Sequence, residues 1–594
     1  MNNLKKYYQD QSAAWGEEIR RLSRRNHLFI LSEISCALCF LFCAIRWAMV
    51  PAVHAWAFGV FAPILLWVII SRIDQNNTRK IDELTALKKA SDAEIGYLKG
   101  DFSPFDAGED FIHPQHEYSF DLDLFGKDSL FQRLCRCVTT GGRELLAHEL
   151  EHLHWNAKRP VLIRELAGKS DFLLSFKAMR YRKGGVVDSD AVMRAIRQLK
   201  TVNVPLPYRG FLGLLLGWLP PIGFWTVLLL CILGMSTATT VIWWAVILFF
   251  VAFAVCGRTL APITGSTSSL LIHLKGYRQL VGLIGEETFE SSYGRELQDA
   301  LTGAGDSFRL LDRFMQGLDS RSNLLGLFVM DVLFFQDFFL VRRFYRWQQK
   351  TSGNLDQWVE QVNRMDALVS MATLACNHPE ATTAEIIDGE EIIYEARGIY
   401  HPFLGLKAVR NDFMINDRNY YIITGANMAG KSTFLRTIGI NYVLALCGMP
   451  VFADHLRVTV FRLFTSMRTS DDLTHGISYF NAELLRLQQL IHYCDAETTP
   501  TLIILDEILK GTNSLDKLNG SRLFLEAMRH RPVSGIIATH DLELSKMEQA
   551  YPEQFHNYCF EIKLGTDVTY TYRITPGVAR NQNATYLLNK ILEE

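Results

Sequence analysis

The chain has 594 residues, and its 61 lysine and arginine side chains nearly balance its 63 aspartate and glutamate side chains, for a net charge of −2 at pH 7. This length predicts several domains, and the balanced charge excludes a bulk basic field that would attract nucleic acid. Hydrophobic residues make up 49% of the chain and the mean hydropathy is +0.07, which is high for a soluble protein. The 11 cysteines show no paired metal-ligand spacing, which is typical of scattered thiols in a reducing cytoplasm.

Four apolar stretches account for the high hydropathy. They lie in two pairs, 29–49 with 53–70 and 211–235 with 239–256, and each is near the length of about 20 residues that a membrane-spanning helix needs. Lysines and arginines flank both pairs and are missing from both short turns. Because positive residues favour the cytoplasmic side, we expect two helical hairpins in the inner (cytoplasmic) membrane, with lipid as a partner and all large segments inside. The alternative is two apolar hairpins buried in a large core.

The N-terminal part of the chain divides around the first of these hairpins. We expect a basic N-terminal helix over 1–26, the first transmembrane hairpin over 27–73 and a linker over 74–118.

A helical region is predicted in the middle of the chain. Apolar residues recur with helical spacing over about 164–200 and 270–375, which indicates a helical region with the second hairpin inserted at about 210–258. In the same region Arg342, Arg343 and Arg346 form a local basic patch. We interpret this patch as the solvated end of an apolar helix.

The segment His148-Glu149-Leu150-Glu151-His152 fits the zinc-protease pattern His-Glu-x-x-His. On a helix both histidines would lie on one face and could bind zinc, with Glu149 as the base. A membrane zinc metalloprotease is therefore one alternative function. The other interpretation is a packed helix, because Leu146, Leu150 and Leu153 share a face.

The strongest motif is Thr-Gly-Ala-Asn-Met-Ala-Gly-Lys-Ser-Thr at 424–433, between an apolar run at 420–423 and a helical pattern from 434. A strand, a glycine loop and a helix in this order predict a phosphate-binding loop, whose backbone N–H groups and helix N-terminus attract anions. Lys431 can reach the outer phosphates and the Ser432 hydroxyl can ligate Mg²⁺. The predicted ATP-binding residues are Gly425, Ala426, Asn427, Met428, Ala429, Gly430, Lys431, Ser432, Thr433 and, near the base, Asn411.

Two further strand ends supply the groups that hydrolysis requires. The apolar run 501–505 ends in Asp506 and Glu507, where Asp506 would hold Mg²⁺ and Glu507 would activate water. The run 534–539 ends in His540, which could sense the terminal phosphate. We therefore predict Glu507, His540 and Lys431 as the catalytic residues of a Mg²⁺-dependent ATP hydrolase.

These motifs resemble the MutS family of DNA mismatch-repair ATPases. The resemblance rests on GIYHP at 398–402, the loop at 424–433, the segment from Phe464 through Glu483, DEILKGTNS at 506–514 and ATH at 538–540. It implies an ABC-type ATPase active as a homodimer, in which Gly476 and Ser478 contact the γ-phosphate bound to the partner chain. It also implies ATP and Mg²⁺ as cofactors and a family role in mismatch repair and DNA binding. No aromatic residue stands where the family usually stacks adenine; Val409 and Asn411 occupy that neighbourhood.

A looser resemblance covers the middle of the chain. Residues 121–126 and 138–146 are similar to the start of the helical core, or lever, of the family, and 366–372 to its last helix. Nothing before Asp121 resembles the mismatch-reading domain with its Phe-x-Glu wedge. The sequence therefore leaves DNA binding open, and a MutS-derived ATPase switch without mismatch recognition is the alternative. A transporter ATPase and an ATP-binding membrane adaptor are two further alternative functions that the sequence favours less. Protein partners are unknown.

The expected fold is thus mixed α and α/β. It comprises two transmembrane hairpins, a helical MutS-like core at 119–390 and a C-terminal P-loop ABC-type α/β ATPase domain at 391–594.

Overall fold

The computed structural model describes residues 2–49, 55–264, 267–319, 324–351, 354–426, 428–468, 479–564 and 568–580. Within these ranges the protein is mostly helical, with three β-sheets toward the C-terminal end. The predicted mixture of α and α/β structure is confirmed at this level. Three of the predicted site residues, Asn427, Gly476 and Ser478, lie outside the described residues.

The elements follow one another in a helical part and then a mixed part. The α-helices are α1 (Asn2–Met49), α2 (Ala55–Tyr97), α3 (Leu130–Leu134), α4 (Thr140–Glu151), α5 (Arg159–Ala167), α6 (Ser170–Ala178), α7 (Ser189–Thr201), α8 (Gly210–Ile232), α9 (Ala238–Thr264), α10 (Thr267–Glu286), α11 (Ser292–Ala300), α12 (Ala304–Asp319), α13 (Leu324–Phe334), α14 (Gln336–Thr351), α15 (Leu355–Asn377), α16 (Lys431–Leu446), α17 (Tyr479–Ala496), α18 (Ser514–Met528) and α19 (Met547–Ala550). The strands are β1 (Thr382–Thr383), β2 (Glu385–Ile387), β3 (Ile393–Ile399), β4 (Asn411–Asn416), β5 (Tyr420–Gly425), β6 (Pro450–Val451), β7 (His455–Thr459), β8 (Arg462–Ser466), β9 (Thr501–Asp506), β10 (Val533–Thr539), β11 (Phe555–Leu564) and β12 (Val568–Pro576).

Helices α1 and α2 form a long antiparallel pair at the N-terminal end. Ser12 Oγ donates to Asp92 Oδ1 at 2.6 Å, and Asn77 Nδ2 donates to the carbonyl of Leu22 at 3.1 Å, so early residues of α1 meet late residues of α2. Residues 2–26 belong to the same helix as the first apolar stretch, and residues 74–97 of the segment predicted as a linker continue α2. The apolar part is therefore joined to the rest of the protein through uninterrupted helix.

Three helices in the described part of the chain are long and apolar enough to cross a membrane: Asn3–Arg46, Gly210–Ile232 and Ala238–Leu260. Only 11%, 17% and 17% of their most apolar windows are buried inside the protein, so most of this apolar surface faces outward. They cover three of the four predicted stretches. The fourth, 53–70, begins α2 at Ala55.

The helical middle of the chain is tied together by a buried carboxylate. Asp366 of α15 accepts hydrogen bonds from the N–H groups of Val138 and Thr139, at 3.0 and 2.7 Å, and from Thr139 Oγ1 at 2.7 Å. Burial raises the pKa of Asp366 to about 6 even though these hydrogen bonds favour the charged form. Gly142 in α4 lets the helices approach, because a Cβ there would lie 2.4 Å from Asp366 Oδ2.

A second buried carboxylate, Glu94, joins three separate parts of the chain. Its Oε1 lies 3.0 Å from Arg136 Nε and 2.9 Å from Lys177 Nζ of α6, and its Oε2 accepts from Asn377 Nδ2 at 2.9 Å. Glu94 belongs to α2, and Asn377 is the last residue of α15, directly before the β-sheets. The Arg136 guanidinium also lies 3.6 Å from the centre of the Phe105 ring. This cluster, the Glu94 junction, therefore links α2, the helical core and the entry to the C-terminal domain.

The main sheet of the C-terminal domain has six strands in the order β12-β11-β5-β10-β9-β8. All neighbours are parallel except β11 and β12. The strands of its centre, β5, β9 and β10, are almost completely buried, as is typical of a parallel sheet covered on both faces. The other two sheets have the strand orders β2-β7-β3-β4 and β1-β6. In the chain, β1 to β4 come between α15 and β5, and β6 and β7 come between α16 and β8.

We expect Glu94→Gln to destabilise the Glu94 junction by about 3–5 kcal/mol, because it leaves Arg136 and Lys177 buried without a counter-charge. Hydrogen exchange of the last turns of α2 and α15 measures this. The exposed pair Arg364–Glu360, also on α15, supplies the control Glu360→Gln, for which we expect no more than about 0.5 kcal/mol. Equal exchange in both variants would contradict the prediction.

The same junction gives the wild-type protein a specific acid sensitivity. The charges of Arg136 and Lys177 outweigh burial and lower the pKa of Glu94 from 4.5 to about 2. A lowered carboxyl pKa means that the stabilisation is complete above the unfolded pKa and is lost as the pH falls from about 4.5 toward about 2.

Candidate functional site

Two glycines with positive φ, Gly425 and Gly430, stand at the ends of the segment that joins β5 to α16. Gly430 has φ 106° and precedes Lys431, the first residue of α16. A Cβ on Gly425 would lie 2.9 Å from the carbonyl oxygen of Phe560, so only glycine fits where β5 ends beside β11. The helix begins three residues earlier than predicted, which places Ser432 and Thr433 in its first turn, where backbone N–H groups have no partner within the helix.

Lys431 lies folded over this loop. Its Nζ donates to the carbonyl oxygens of Gly425 and Ala426 at 2.8 and 3.0 Å, and the side chain is buried. Burial lowers the pKa of Lys431 to about 8, while the nearby carboxylates of Asp506 and Glu507 work in the opposite direction. Lys431 therefore stays mostly protonated at neutral pH and presents a cation at the mouth of the loop.

The predicted acidic pair and the predicted histidine end adjacent strands. Asp506 ends β9, Ala538 pairs with it in β10, and His540 follows the end of β10. Because parallel strands end on the same side, these side chains face the same edge as the glycine loop at the end of β5. The structure thus brings Lys431, Asp506, Glu507 and His540 together.

His540 lies between the lysine and the second carboxylate. Its ring nitrogens are 3.4 Å from Lys431 Nζ, and Nε2 is 3.6 Å from Glu507 Oε1. Burial, and then the positive charge of Lys431, lower the pKa of His540. This shift favours the neutral form of His540, in which one ring nitrogen donates a hydrogen bond and the other accepts one.

Glu507 has a second cation beside it and a strained backbone. Its Oε2 lies 3.2 Å from Lys517 Nζ of α18, which sequence analysis did not identify. Its φ is +63°, and Leu509 has φ +59°. Non-glycine residues in this region cost on the order of 1–3 kcal/mol each and occur where the surroundings enforce them. Here the N–H of Glu507 donates to the carbonyl of Ala538 at 2.9 Å, which ties the backbone of Glu507 to β10.

A cleft of about 960 Å³ opens over these groups. Most of the predicted nucleotide residues line it, and several lining residues were not predicted from the sequence. The predicted lining residues are Asn411, Ala426, Met428, Ala429, Gly430, Lys431, Ser432, Thr433, Asp506, Glu507 and His540; those not predicted include Tyr400, His401, Lys407, Lys510 and Tyr572.

Asn411 has a structural role that the sequence did not indicate. Its Nδ2 donates to the carbonyl of Tyr572 at 3.1 Å, and its Oδ1 accepts from the N–H of Ile574 at 2.9 Å, so both ends of the amide are bonded to β12. This clamp holds Tyr572, which is 45% exposed, beside Gly430. An aromatic ring therefore faces the cleft after all, from a strand far along the chain.

Glu483 of α17 holds the loop that follows the acidic pair. Its two carboxylate oxygens accept from the N–H groups of Lys510 and Gly511 at 2.9 and 3.0 Å, and the side chain is only 6% exposed. Helix α17 starts at Tyr479, directly after the predicted Gly476 and Ser478, which lie outside the described residues. Helix α17 is thus tied to the loop that follows Glu507 within one chain.

The zinc-protease pattern occupies α4 without a third ligand in the described part of the protein. The rings of His148 and His152 stack with centroids 4.2 Å apart, and no group of three or more candidate metal ligands occurs among the described residues. Glu149, the proposed base, lies 2.7 Å from Arg159 Nη2, so its charge is already used in an ion pair.

A parallel sheet whose strand ends carry a glycine loop, a lysine and carboxylates is an arrangement typical of α/β domains that receive a phosphate group at a helix N-terminus. Comparison adds a family: residues 421–588 match MutS domain V. This match supports assignment of the segment to the MutS family.

The similar proteins are DNA mismatch repair proteins MutS. The one from Thermotoga neapolitana is 31% identical over 224 residues, covering 37% of this chain and 27% of that protein. The one from Persephonella marina is 32% identical over 246 residues, covering 40% of this chain and 27% of that protein. The chain spans about a quarter of the length of these relatives.

Glu483→Ala should accelerate amide hydrogen exchange at Lys510 and Gly511, because both N–H groups lose a charged acceptor worth about 1.5–3 kcal/mol, or roughly 10- to 100-fold in exchange. Exchange measured on the full chain by mass spectrometry tests this. Glu526→Ala, which removes the exposed partner of Arg522, should leave both amides unchanged. Unaltered exchange in Glu483→Ala would show that the carboxylate does not hold the loop.

Proposed function

We propose that this protein is a membrane-anchored, Mg²⁺-dependent ATP hydrolase that works as a homodimer and moves its helical core against the membrane. One observation carries the proposal: Lys431, Asp506, Glu507 and His540 converge beside a glycine loop at the same edge of the sheet. Structural use of four such groups would not require them to line an open cleft.

Each side chain has a position that suits one step of phosphoryl transfer to water. The N–H groups at the start of α16 and the Lys431 ammonium would bind the phosphates. Ser432 and Asp506 offer hydroxyl and carboxylate oxygens, the donors that Mg²⁺ prefers, and the ion would neutralise charge on the phosphates. Glu507 would take the proton of the attacking water. His540 would orient that water or contact the terminal phosphate.

The base of the nucleotide would lie on the Tyr572 side of the cleft. Tyr572 is exposed beside Gly430, and its backbone is held by Asn411. A phenol ring can stack on adenine with modest specificity. In this proposal Asn411 positions Tyr572 and does not itself contact the base.

The lever motion would use a hydrogen-bonded strip at the edge of the main sheet. The N–H of Thr465 in β8 donates to the carbonyl of Glu117 at 2.8 Å. Asp121 accepts from Thr465 Oγ1 at 2.7 Å and from the N–H of Arg468 at 2.9 Å. Arg468 directly precedes the segment of Gly476 and Ser478. A change there would therefore reach residues 117–121, which lead into the helical core.

Anchoring in the inner membrane is proposed from the exposed apolar helices. Three of them meet the length and composition of a membrane span, and basic residues flank the pairs on the side expected to be cytoplasmic. The domain with the nucleotide cleft would then lie in the cytoplasm, where ATP is available.

Mixing two inactive variants tests the composite site of a dimer. Lys431→Ala and Ser478→Ala should each abolish turnover. In a two-fold dimer with trans contacts, half of a one-to-one mixture is heterodimer with one intact site, so about a quarter of the wild-type rate should return. ATP hydrolysis in detergent, with Glu507→Gln as the dead control, measures this. If the mixture stays inactive, the proposed trans contact is wrong. It is also wrong if the Ser478→Ala protein hydrolyses ATP on its own.

A second candidate function, mismatch repair with DNA binding, rests on the names of the relatives. The ATP hydrolysis rate with mismatched duplex, with perfect duplex and without DNA distinguishes it from an ATPase switch that does not read mismatches. We expect the same rate in all three, because the chain has a net charge of −2 and its match to these relatives covers only 37–40% of its length. A rate specific to the mismatch would establish the repair role.

A further inference from the structure

Helix α13 exposes apolar side chains on its surface. Val329, Met330 and Phe334 are 47%, 41% and 48% exposed. Two other side chains of the helix, Leu327 and Asp331, are 8% and 1% exposed. Within the part of α13 whose side chains are described, every exposed side chain is apolar.

This helix lies at the level of the middle of α8 and α9. The ring of Phe328 is 5.2 Å from that of Phe249 in α9, and Trp225 Nε1 of α8 donates to the carbonyl of Leu333 at 3.1 Å. Trp225 stands 15 residues after Gly210, where α8 begins, which is about 22 Å along a helix. A hydrocarbon core is about 30 Å thick. If α8 spans the bilayer, α13 lies inside it.

Helix α13 has only 11 residues, which is too few to cross a bilayer. The polar backbone groups at its C-terminal end are paired with side chains. The indole of Trp225 satisfies the Leu333 carbonyl, one of the acceptors that a helix end leaves unpaired. Asp331 Oδ1 accepts from the N–H of Asp337 in the first turn of α14 at 2.8 Å. Phe335 makes the turn between them with φ +52°. A backbone break at membrane depth is tolerated where side chains pair its polar groups in this way.

Helix α14 leads back to the side from which α8 starts. The ring of Phe339 lies 5.2 Å from Trp218, and Arg342 Nη1 donates to the carbonyl of Tyr208 at 3.2 Å. Tyr208 lies two residues before the start of α8. Over seven residues, about 10 Å along a helix, α14 thus runs from the depth of Trp225 toward the level where α8 begins. The Arg342 side chain reaches that level, and the exposed Arg343 and Arg346 follow in the chain.

We propose that residues 324–342 form a re-entrant membrane element that enters and leaves on the cytoplasmic side. The exposed face of α13 contacts lipid acyl chains and continues the apolar faces of α8 and α9, on which Trp218 and Phe250 are 50% and 62% exposed. Arg343 and Arg346 lie at the headgroups of the same leaflet, where anionic phospholipid attracts them. This inference rests on the proposed membrane anchoring, and it gives the basic patch a lipid partner.

Photolabelling of the native full-length chain in vesicles tests the depth of α13. The vesicles contain phosphatidylglycerol, phosphatidylcholine and a phospholipid with a diazirine midway along one acyl chain; labelled peptides are quantified after digestion. We expect the peptide with Val329 to Phe334 to be labelled within about threefold of the α9 peptide with Phe250. Both should exceed by at least about tenfold the peptide of α18 with Leu523, which is exposed in the C-terminal domain.

The α9 peptide separates the two possible failures. If α13 is labelled no more than α18 while α9 is labelled strongly, the re-entrant element is wrong and the membrane anchor stands. If α9 is also labelled no more than α18, the proposed anchoring itself is wrong.

A headgroup-diazirine lipid tests the arginines separately. In phosphatidylglycerol vesicles, Arg343→Gln with Arg346→Gln should reduce labelling of α14 by at least about threefold, while the exposed control Arg522→Gln leaves it unchanged. Unchanged labelling of α14 in the double variant would contradict the headgroup contact.

Discussion

The parallel pairing of β5, β10 and β9 is the constraint on which the candidate site depends. Residues Ile423, Ala538 and Asp506 stand in register across the three strands. Parallel strands end at the same edge of a sheet. This edge therefore carries the loop after β5, the histidine after β10 and the carboxylates at the end of β9. A buried, almost wholly apolar sheet centre makes this register costly to shift. The reactive groups are thus positioned by the least polar part of the domain.

Two buried carboxylates carry the connection from this domain to the rest of the chain. Asp366 holds α15 to the start of α4, and Glu94 holds the end of α15 to α2. Removing one member of such a cluster leaves the other polar or charged groups buried without a partner. The helical core and α2 are therefore joined at this point. In the proposed lever motion, a displacement at the sheet edge near Asp121 would be transmitted to helices that continue into the apolar hairpin without an intervening loop.

Side chains in the apolar helices form hydrogen bonds with polar groups of the backbone. Ser32 and Ser35 of α1 donate to carbonyls one turn earlier, and Trp225 and Asp331 pair the groups left open where α13 gives way to α14. In the proposed re-entrant element, the bonds of Trp225 and Asp331 would replace those that water makes elsewhere. Hydropathy does not detect such an element, because an 11-residue segment is too short for a hydropathy window of membrane-spanning length.

Local sequence was sufficient wherever a short segment dictates its own structure. The glycine loop, the buried strands before Asp506 and His540, the helical middle and the apolar stretches are all encoded by neighbouring residues, and the mixed α and α/β fold follows from them. The start of α16 was placed three residues late, since Lys431, Ser432 and Thr433 have no apolar periodicity of their own. The continuation of α2 through residues 74–97 was missed because its polar exposed face resembles that of a linker.

Contacts between distant segments could not be inferred from the sequence. Tyr572 reaches the cleft only because β12 pairs with β11 and Asn411 bonds to β12 across 161 positions of the chain. Glu483, Lys517 and the Glu94 junction likewise depend on which helices pack together. The sequence by itself determined the groups that the chain can offer: a glycine loop with a lysine, two strand-end carboxylates and long apolar helices. Only the tertiary structure decided which side chains meet, because side-chain pairing is set by the register and packing of elements whose local sequences carry no record of their partners.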